Sequence, residues 1–383
     1  MVSVNTTQSH LRLQQLEGAY RLCNYCFYRQ IMQGETARIR TRESIRNSRG
    51  CYICHGLMGQ LDSITDRVLA DVQKKYEFDS FLVGAVLPTE IYECEDEIRS
   101  RFKIRGKESI KRQFVRELGI RILRITKKRL EYFAPEMVIN IVVDDENNIK
   151  INSKNSPLIL AGTYIKKRRG LPQKHNQYNE CIPTRSLIPR YYSHACTCRS
   201  VETLISRRLL SMTKGENTRF SWVGSEDRDS LVLGEGRPFF VRILNPQIRS
   251  LKGGLKFSIA GIHATIIGNV NHMPESPIRF ITKTKILIRT RADLSKIDLT
   301  KLYLLKNSMI TFEIKSKIVT KKIYSVEVQQ INDTEFNLTL IADGGLVIKQ
   351  FVGGQRYVKP NVSEIIGTES QCVFFDILYV QLQ

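Results

Sequence analysis

The stretch VGSEDRDSLVLGEGRPFFVRILNP, residues 223–246, joins an acidic loop, a glycine-rich turn and an apolar strand at residues 239–244. In an extended segment Asp227 and Asp229 face the same way because they are two residues apart, whereas Glu226 faces the opposite side. A carboxylate in such a loop is either a turn cap or a reactive group. Spacing alone favours the capped turn.

The overall composition indicates a polyanionic partner. The chain has 383 residues, which predicts two or three domains, and it carries 59 Lys and Arg against 38 Asp and Glu, a net charge of +21. An excess of this size favours nucleic acid over a membrane surface. The apolar runs are strand-sized, the N-terminus does not resemble a secretory signal, and nine scattered cysteines indicate a reducing compartment. We therefore predict a cytoplasmic monomer without membrane contact.

The chain divides into three segments by pattern. Residues 1–62 are cysteine-rich, residues 63–167 alternate helix-like and strand-like stretches, and residues 168–383 join a basic connector to many strands. In the second segment, residues 109–132 have the apolar spacing of an amphipathic helix. Residues 156–165 are predicted to be the last strand of this segment. The order of these elements predicts an α+β protein.

Two CxxC pairs form a predicted metal site in the first segment. The pairs Cys23–Cys26 and Cys51–Cys54 are separated by 24 residues, and together they offer four thiolates to one tetrahedral zinc ion. Four protein ligands leave no position for a substrate, so this zinc is structural. The alternative is a set of buried, unliganded thiols. His55 is a rival ligand, although its position beside Cys54 favours a surface role.

A run of four cations begins the connector: Lys166, Lys167, Arg168 and Arg169. Such a run can neutralise phosphates, which provides affinity but little sequence information. The alternative is a solvated charge run, but solubility does not require four consecutive cations. The glycine-rich loops match neither GxxxxGK[ST] nor a strand-linked GxGxxG, so we expect no organic cofactor.

Several motifs resemble those of one family of tRNA pseudouridine synthases. Residues 224–229 (GSEDRD) and 233–239 (LGEGRPF) are similar to its active-site motif, GREDxDxxxLGxGRPF. Residues 169–173 (RGLPQ), 108–117 (ESIKRQFVRE) and 344–351 (GGLVIKQF) are similar to its RGIPQ, ESIKxEFxRE and GGLYxKEF stretches. This archaeal and eukaryotic family has a cysteine-rich, THUMP-containing N-terminal domain and modifies uridines 54 and 55 in the TΨC arm of tRNA.

The resemblance implies an architecture and an activity. Residues 1–62 would be the zinc knuckle, residues 63–167 a THUMP-like RNA-binding domain, and residues 168–383 a mixed-sheet pseudouridine synthase domain. The target uridine would flip out of the tRNA into a pocket. Asp227, at the position of the catalytic aspartate, would attack the base or the sugar without a cofactor, while the basic residues hold phosphates and the THUMP-like domain grips tRNA by shape.

Two departures from the family pattern concern this site. Ser225 stands where the family has an arginine that pairs with the catalytic aspartate, and Val347 stands where it has a tyrosine that stacks on the target base. We predict that a nearby cation and a nearby ring replace them. The predicted replacements are Lys349 or Arg356 for the cation and Tyr357 or Phe351 for the ring.

Two other hypotheses remain open. One is a non-catalytic tRNA-binding protein on the same scaffold, which the residues at positions 225 and 347 favour. The other is an unrelated zinc-ribbon protein that binds nucleic acid. A cation and an aromatic ring beside Asp227 in the folded protein would favour the enzyme over both.

Overall fold

The structure, a computed structural model, describes residues 15–16, 18–30, 48–174, 199–251, 253–314, 316–354 and 357–383. The chain divides into two compact units. The first comprises Met1–Pro157 and Asn245–Arg249, and the second comprises Leu158–Leu244 and Ser250–Gln383. Each unit combines helices with a sheet, which confirms the predicted α+β class. Among the helices of the described residues, none has the length and apolar character needed to cross a membrane.

The first unit contains a four-stranded sheet and its helices. These elements are α1 (Asn24–Arg29), a 3-10 helix (Leu57–Gln60), α2 (Leu61–Val72), β1 (Ser80–Val86), α3 (Thr89–Phe102), α4 (Ile110–Thr126), β2 (Arg129–Leu130), β3 (Met137–Val143) and β4 (Ile149–Asn155). The strand order is β2-β1-β3-β4, in which β1 is parallel to both neighbours and β4 is antiparallel to β3.

Helix α4 shows how local sequence produces this unit. The Ser109 side chain caps its N-terminus by accepting a hydrogen bond from a backbone N–H of the first turn. Phe114, Leu118 and Ile122 recur every four residues and form its buried face. The helix ends before residue 132, the predicted end, because Lys127 adopts a left-handed φ of 59° and β2 follows.

The second unit is built on a ten-stranded mixed sheet. Its elements are β5 (Leu158–Lys166), α5 (Val201–Thr213), β6 (Asn217–Trp222), β7 (Val232–Leu244), β8 (Leu255–Ile259), β9 (Ile262–Asn269), β10 (Phe280–Thr290), two 3-10 helices (Leu294–Lys296 and Leu299–Leu305), β11 (Met309–Ile314), β12 (Lys317–Gln330), β13 (Glu335–Asp343), α6 (Ile348–Gly353), α7 (Val362–Ile366) and β14 (Ser370–Leu382). The order is β11-β12-β13-β10-β14-β7-β5-β9-β8, with β6 also on β7, and only the β14–β7 pair among these strands is parallel.

The unit boundaries differ from the predicted segments. Strand β5 does not close the sheet of the first unit, since it pairs with β7 and β9 in the second unit. The boundary therefore lies at Pro157 rather than at residue 167. The cysteine-rich segment is not separate either, because Phe27 and Met58 belong to the same buried cluster as Phe81.

Candidate active site

Asp227 lies in the loop that connects β6 to β7. Gly224 opens this loop with a left-handed φ of 79°, a conformation that favours glycine. A Cβ atom at this position would lie 2.5 Å from both the Arg237 guanidinium and the Phe280 ring. The loop therefore approaches its neighbours closely, and it leaves the Asp227 side chain partly exposed.

The preceding residue, Glu226, anchors the loop from inside. Its carboxylate is fully buried, with Lys166 Nζ 3.2 Å from Oε1 and Arg237 Nε donating a 3.2 Å hydrogen bond to Oε2. The Tyr164 hydroxyl donates to the same Oε2 atom at 2.8 Å. Burial, and then the charge of Glu226, raise the pKa of Tyr164 well above its usual value. Glu226 thus points inward, opposite to Asp227, as extended spacing predicts.

Lys166 has a different position from the one predicted. Its side chain is fully buried, and its ammonium donates hydrogen bonds of 2.9 and 3.0 Å to the backbone carbonyls of Leu171 and Asp227. Burial lowers the pKa of Lys166, and the neighbouring Glu226 carboxylate opposes this shift. An ammonium with these internal acceptors does not reach a phosphate, so the prediction of phosphate binding by Lys166 is wrong.

Arg169 is only half-buried, but its guanidinium has partners within the protein. Its guanidinium forms a two-pronged ion pair with the Asp376 carboxylate, with hydrogen bonds of 2.6 and 2.8 Å, and lies 3.9 Å from the centre of the Phe374 ring. It also donates to the carbonyl of Asp229. These contacts hold the end of the Asp227 loop against β14, so much of the bonding capacity of Arg169 is used within the protein. Lys167 and Arg168, by contrast, are exposed.

A cation lies beside Asp227. Lys349, in the first turn of α6, places its Nζ atom 2.6 Å from Asp227 Oδ2. The hydrogen bond to Asp227 raises the pKa of Lys349, so the ammonium form is favoured. Lys349 thus stands where the sequence predicts a substitute for the cation that Ser225 does not supply. Arg356, the other predicted substitute, lies outside the described residues.

Asp227 and Lys349 lie at the edge of a cavity of about 360 Å³. Its other lining residues come mainly from β10, β13, β14 and the turn before α6: Phe280, Thr282, Thr284, Leu340, Ala342, Leu346, Val347, Phe375 and Ile377 are among them. The lining thus mixes apolar side chains with polar and charged ones, and the charged residues are Glu226, Asp227, Arg237 and Lys349. A cavity of this size with a few polar groups is typical of a site for a small molecule or a single base.

The aromatic rings of the cavity are not the predicted ones. Phe351 is fully buried and Tyr357 is 84% exposed, and neither is among the described residues that line the cavity. The rings that do line it are Phe280 and Phe375. Their signal in the sequence is weak, since both are ordinary apolar positions in strands that reach the cavity only after the sheet has formed.

The four predicted metal ligands come together in the first unit. The Sγ atoms of Cys23, Cys26, Cys51 and Cys54 all lie within 4.8 Å of one another, and all four residues are buried. Cys23 Sγ and Cys54 Sγ are 3.7 Å apart, close to the edge of about 3.8 Å that a tetrahedron with zinc–sulfur bonds of about 2.3 Å requires. His55 instead lies 3.9 Å from Cys94 Sγ, outside this group.

Family models match both units of the chain. The family model of the Pus10 C-terminal domain matches residues 159–304 and 314–381, and the model of the archaeal Pus10 THUMP domain matches residues 64–143. A Pus10 C-terminal domain joined to a THUMP domain defines an RNA pseudouridine synthase, an isomerase that acts on RNA. The chain belongs to the Pus10 family.

Curated relatives match along nearly the whole chain. The tRNA pseudouridine synthase Pus10 of Nitrosopumilus maritimus is 31% identical over 95% of this chain and 96% of its own length. The protein of the same name from Cenarchaeum symbiosum is 29% identical over 94% of this chain and 90% of its own. That of Pyrococcus furiosus is 27% identical over 94% and 95% respectively.

The buried carboxylate of Glu226 provides a stability test. We expect Glu226→Gln to lower the free energy of unfolding by about 3 kcal/mol, because two buried cations lose their counter-charge while the shape is kept. Trp222, the one tryptophan of the chain, lies 5.5 Å from the Tyr164 ring and reports urea unfolding of this unit. Asp229→Asn, in the same loop but exposed, should change it by less than about 0.5 kcal/mol. Equal unfolding curves for both variants would contradict this.

Proposed function

We propose that this protein isomerises uridine to pseudouridine in the TΨC arm of tRNA, at position 54, position 55 or both, with Asp227 as the nucleophile. One observation carries the proposal: the Asp227 carboxylate is paired with Lys349 at 2.6 Å, and both residues line a cavity of about 360 Å³ that also has apolar and aromatic walls. The names of the curated relatives support tRNA as the substrate.

The chemistry needs no external reagent. The bond from ribose C1′ to uracil N1 breaks, and a bond from C1′ to C5 forms. The proton on C5 is lost, and N1 takes up a proton, so atoms and electrons balance without an oxidant. Asp227 adds covalently either to the ribose or to the base and is released at the end. Lys349 keeps the carboxylate oriented toward the reacting atoms, a role for which Ser225 has no suitable group.

Binding of tRNA would depend on exposed cations. Lys167 and Arg168 are exposed at the end of β5, and Tyr357 is exposed after α6, so these residues are our proposed RNA contacts. The net charge of +21 favours release of counterions from the phosphates, which makes affinity fall as salt rises. We place this activity in the cytoplasm, where tRNA is available and thiols stay reduced.

We further propose that the four-cysteine group holds a structural zinc ion. The donor set of four soft, buried thiols suits this metal. Zinc would stabilise the fold of the first unit and take no part in the isomerisation, because four thiolates leave no open coordination position.

Replacement of the nucleophile tests the function. Asp227→Asn should lower the single-turnover rate of pseudouridine formation in a tRNA transcript by about 10³-fold or more, because the amide is a poor nucleophile. Formation can be followed by tritium release from uridine labelled at C5. Asp229→Asn should react at close to the wild-type rate. Equal rates for wild type and Asp227→Asn would refute the assignment, and tight binding of tRNA without product would favour the non-catalytic alternative.

The paired cation provides a second kinetic test. Lys349→Met keeps the length of the side chain but removes the charge 2.6 Å from Asp227. We expect the single-turnover rate to fall about 10- to 100-fold, the range for loss of one charge-assisted hydrogen bond. Lys349→Arg, which keeps the charge, should retain most of the rate. A wild-type rate for Lys349→Met would exclude this role for Lys349.

The metal site is tested by metal content and stability together. Purified wild-type protein should contain ~1 zinc ion per chain, measured by mass spectrometry of the metal or with a chelating dye. Cys51→Ser should lose the zinc and melt at a lower temperature, since binding energy at such sites is folding energy. Cys94→Ser, outside the group, should keep it. A metal-free wild type with unchanged stability would overturn the zinc proposal.

A further inference from the structure

Strand β10 presents two hydroxyl groups where its pattern calls for apolar side chains. Along one face of the strand, Phe280, Thr282, Thr284, Ile286 and Ile288 alternate with residues of the other face. Ile286 and Ile288 are fully buried, and Thr284 is only 2% exposed. A face that serves only as core would continue with valine or isoleucine at residue 284.

Both hydroxyl-bearing residues line the cavity beside Asp227. Thr284 stands opposite Leu340 on β13 and Ile377 on β14, so the floor around it is apolar. Within the described part of the chain, its Oγ1 atom makes one hydrogen bond, a long contact of 3.4 Å with Thr282 Oγ1. Thr282 Oγ1 in turn donates at 3.2 Å to the backbone carbonyl of Tyr379. The buried Thr284 hydroxyl therefore keeps most of its bonding capacity for something else.

The geometry of the reaction suggests what that partner is. If Asp227 attacks at the rim of the cavity, the ribose and N1 of the uridine lie there. The opposite edge of uracil, with N3–H between two carbonyl groups, then points away from the rim toward the floor. Leu340 and Ile377 offer that polar edge no hydrogen bonds, and burying polar groups without partners is unfavourable.

A hydroxyl also suits the rotation of the base. To exchange N1 for C5 at the sugar, uracil turns about the axis through N3 and C6. This turn exchanges O2 with O4 and leaves N3–H in place. A threonine hydroxyl both donates and accepts, so a pair of them can accept from N3–H throughout and donate to whichever carbonyl lies beside it.

We propose that Thr284, with Thr282 beside it, hydrogen-bonds the N3–H and carbonyl edge of the target uracil and holds the detached base while it rotates. The inference rests on the proposed pseudouridine synthase function. The threonine hydroxyls form no covalent bond in this step. Only the C1′–N1 bond breaks and the C1′–C5 bond forms, with the protons moving as described above.

The test compares Thr284→Val with Thr284→Ser in the full-length protein. Valine keeps the shape and removes the hydroxyl, whereas serine restores it. On an unmodified tRNA transcript, Thr284→Val should lower the single-turnover rate about 10- to 100-fold. The dissociation constant for tRNA should change less than about two-fold because phosphate contacts dominate it, and the melting temperature should not fall. Thr284→Ser should recover most of the rate.

A matched control lies on the same strand outside the cavity. Thr290 is buried, and its hydroxyl donates to the carbonyl of Ala292 at 2.8 Å. Thr290→Val should lower the melting temperature without slowing the reaction. A wild-type rate for Thr284→Val, or a slow rate with a lowered melting temperature that serine does not correct, would overturn the inference alone. Absence of product from the wild-type protein would overturn the proposed function, and this inference with it.

Discussion

The site in the second unit depends on one interaction, the pairing of the buried Glu226 carboxylate with its neighbours. Two cations, Lys166 and Arg237, and the Tyr164 hydroxyl surround this fully buried carboxylate. Removing one partner would leave a buried charge uncompensated, which is far more costly than losing an exposed ion pair. This network joins β5, β7 and the loop before β7, so the backbone next to Glu226 has a fixed direction. This backbone direction sets the position of Asp227, which follows Glu226 directly.

Neighbouring acidic residues thus acquire different roles from their surroundings alone. Glu226 is buried and paired with two cations, whereas Asp227 is partly exposed and is paired with Lys349, which lies more than a hundred residues later in the chain. Arg169 and Asp376 hold the other end of the same loop. The loop is therefore fixed at both ends and accessible in the middle, an arrangement that suits the nucleophile role proposed for Asp227.

The first unit also contains a buried group of polar side chains, which here are four thiols. The four cysteines are brought together by two short knuckles, and the apolar residues between and after them join the core under the four-stranded sheet. This shared core explains why the cysteine-rich segment is not a separate unit. Composition could not place the boundary at Pro157 for a separate reason: strand β5 has the same alternating pattern whichever sheet it joins.

The amino-acid sequence alone determined the α+β class, the two CxxC pairs and the motif that makes Asp227 the candidate nucleophile, because periodicity, ligand spacing and a contiguous motif are local properties. Tertiary structure alone decided which of the four basic residues are exposed: Lys166 is buried, and Arg169 is held by Asp376. It also decided that Phe280, Phe375 and Thr284 face the cavity. The burial of a side chain and the pairing of its charge depend on strands that meet only in the folded sheet. The spacing of residues within one stretch therefore cannot predict them.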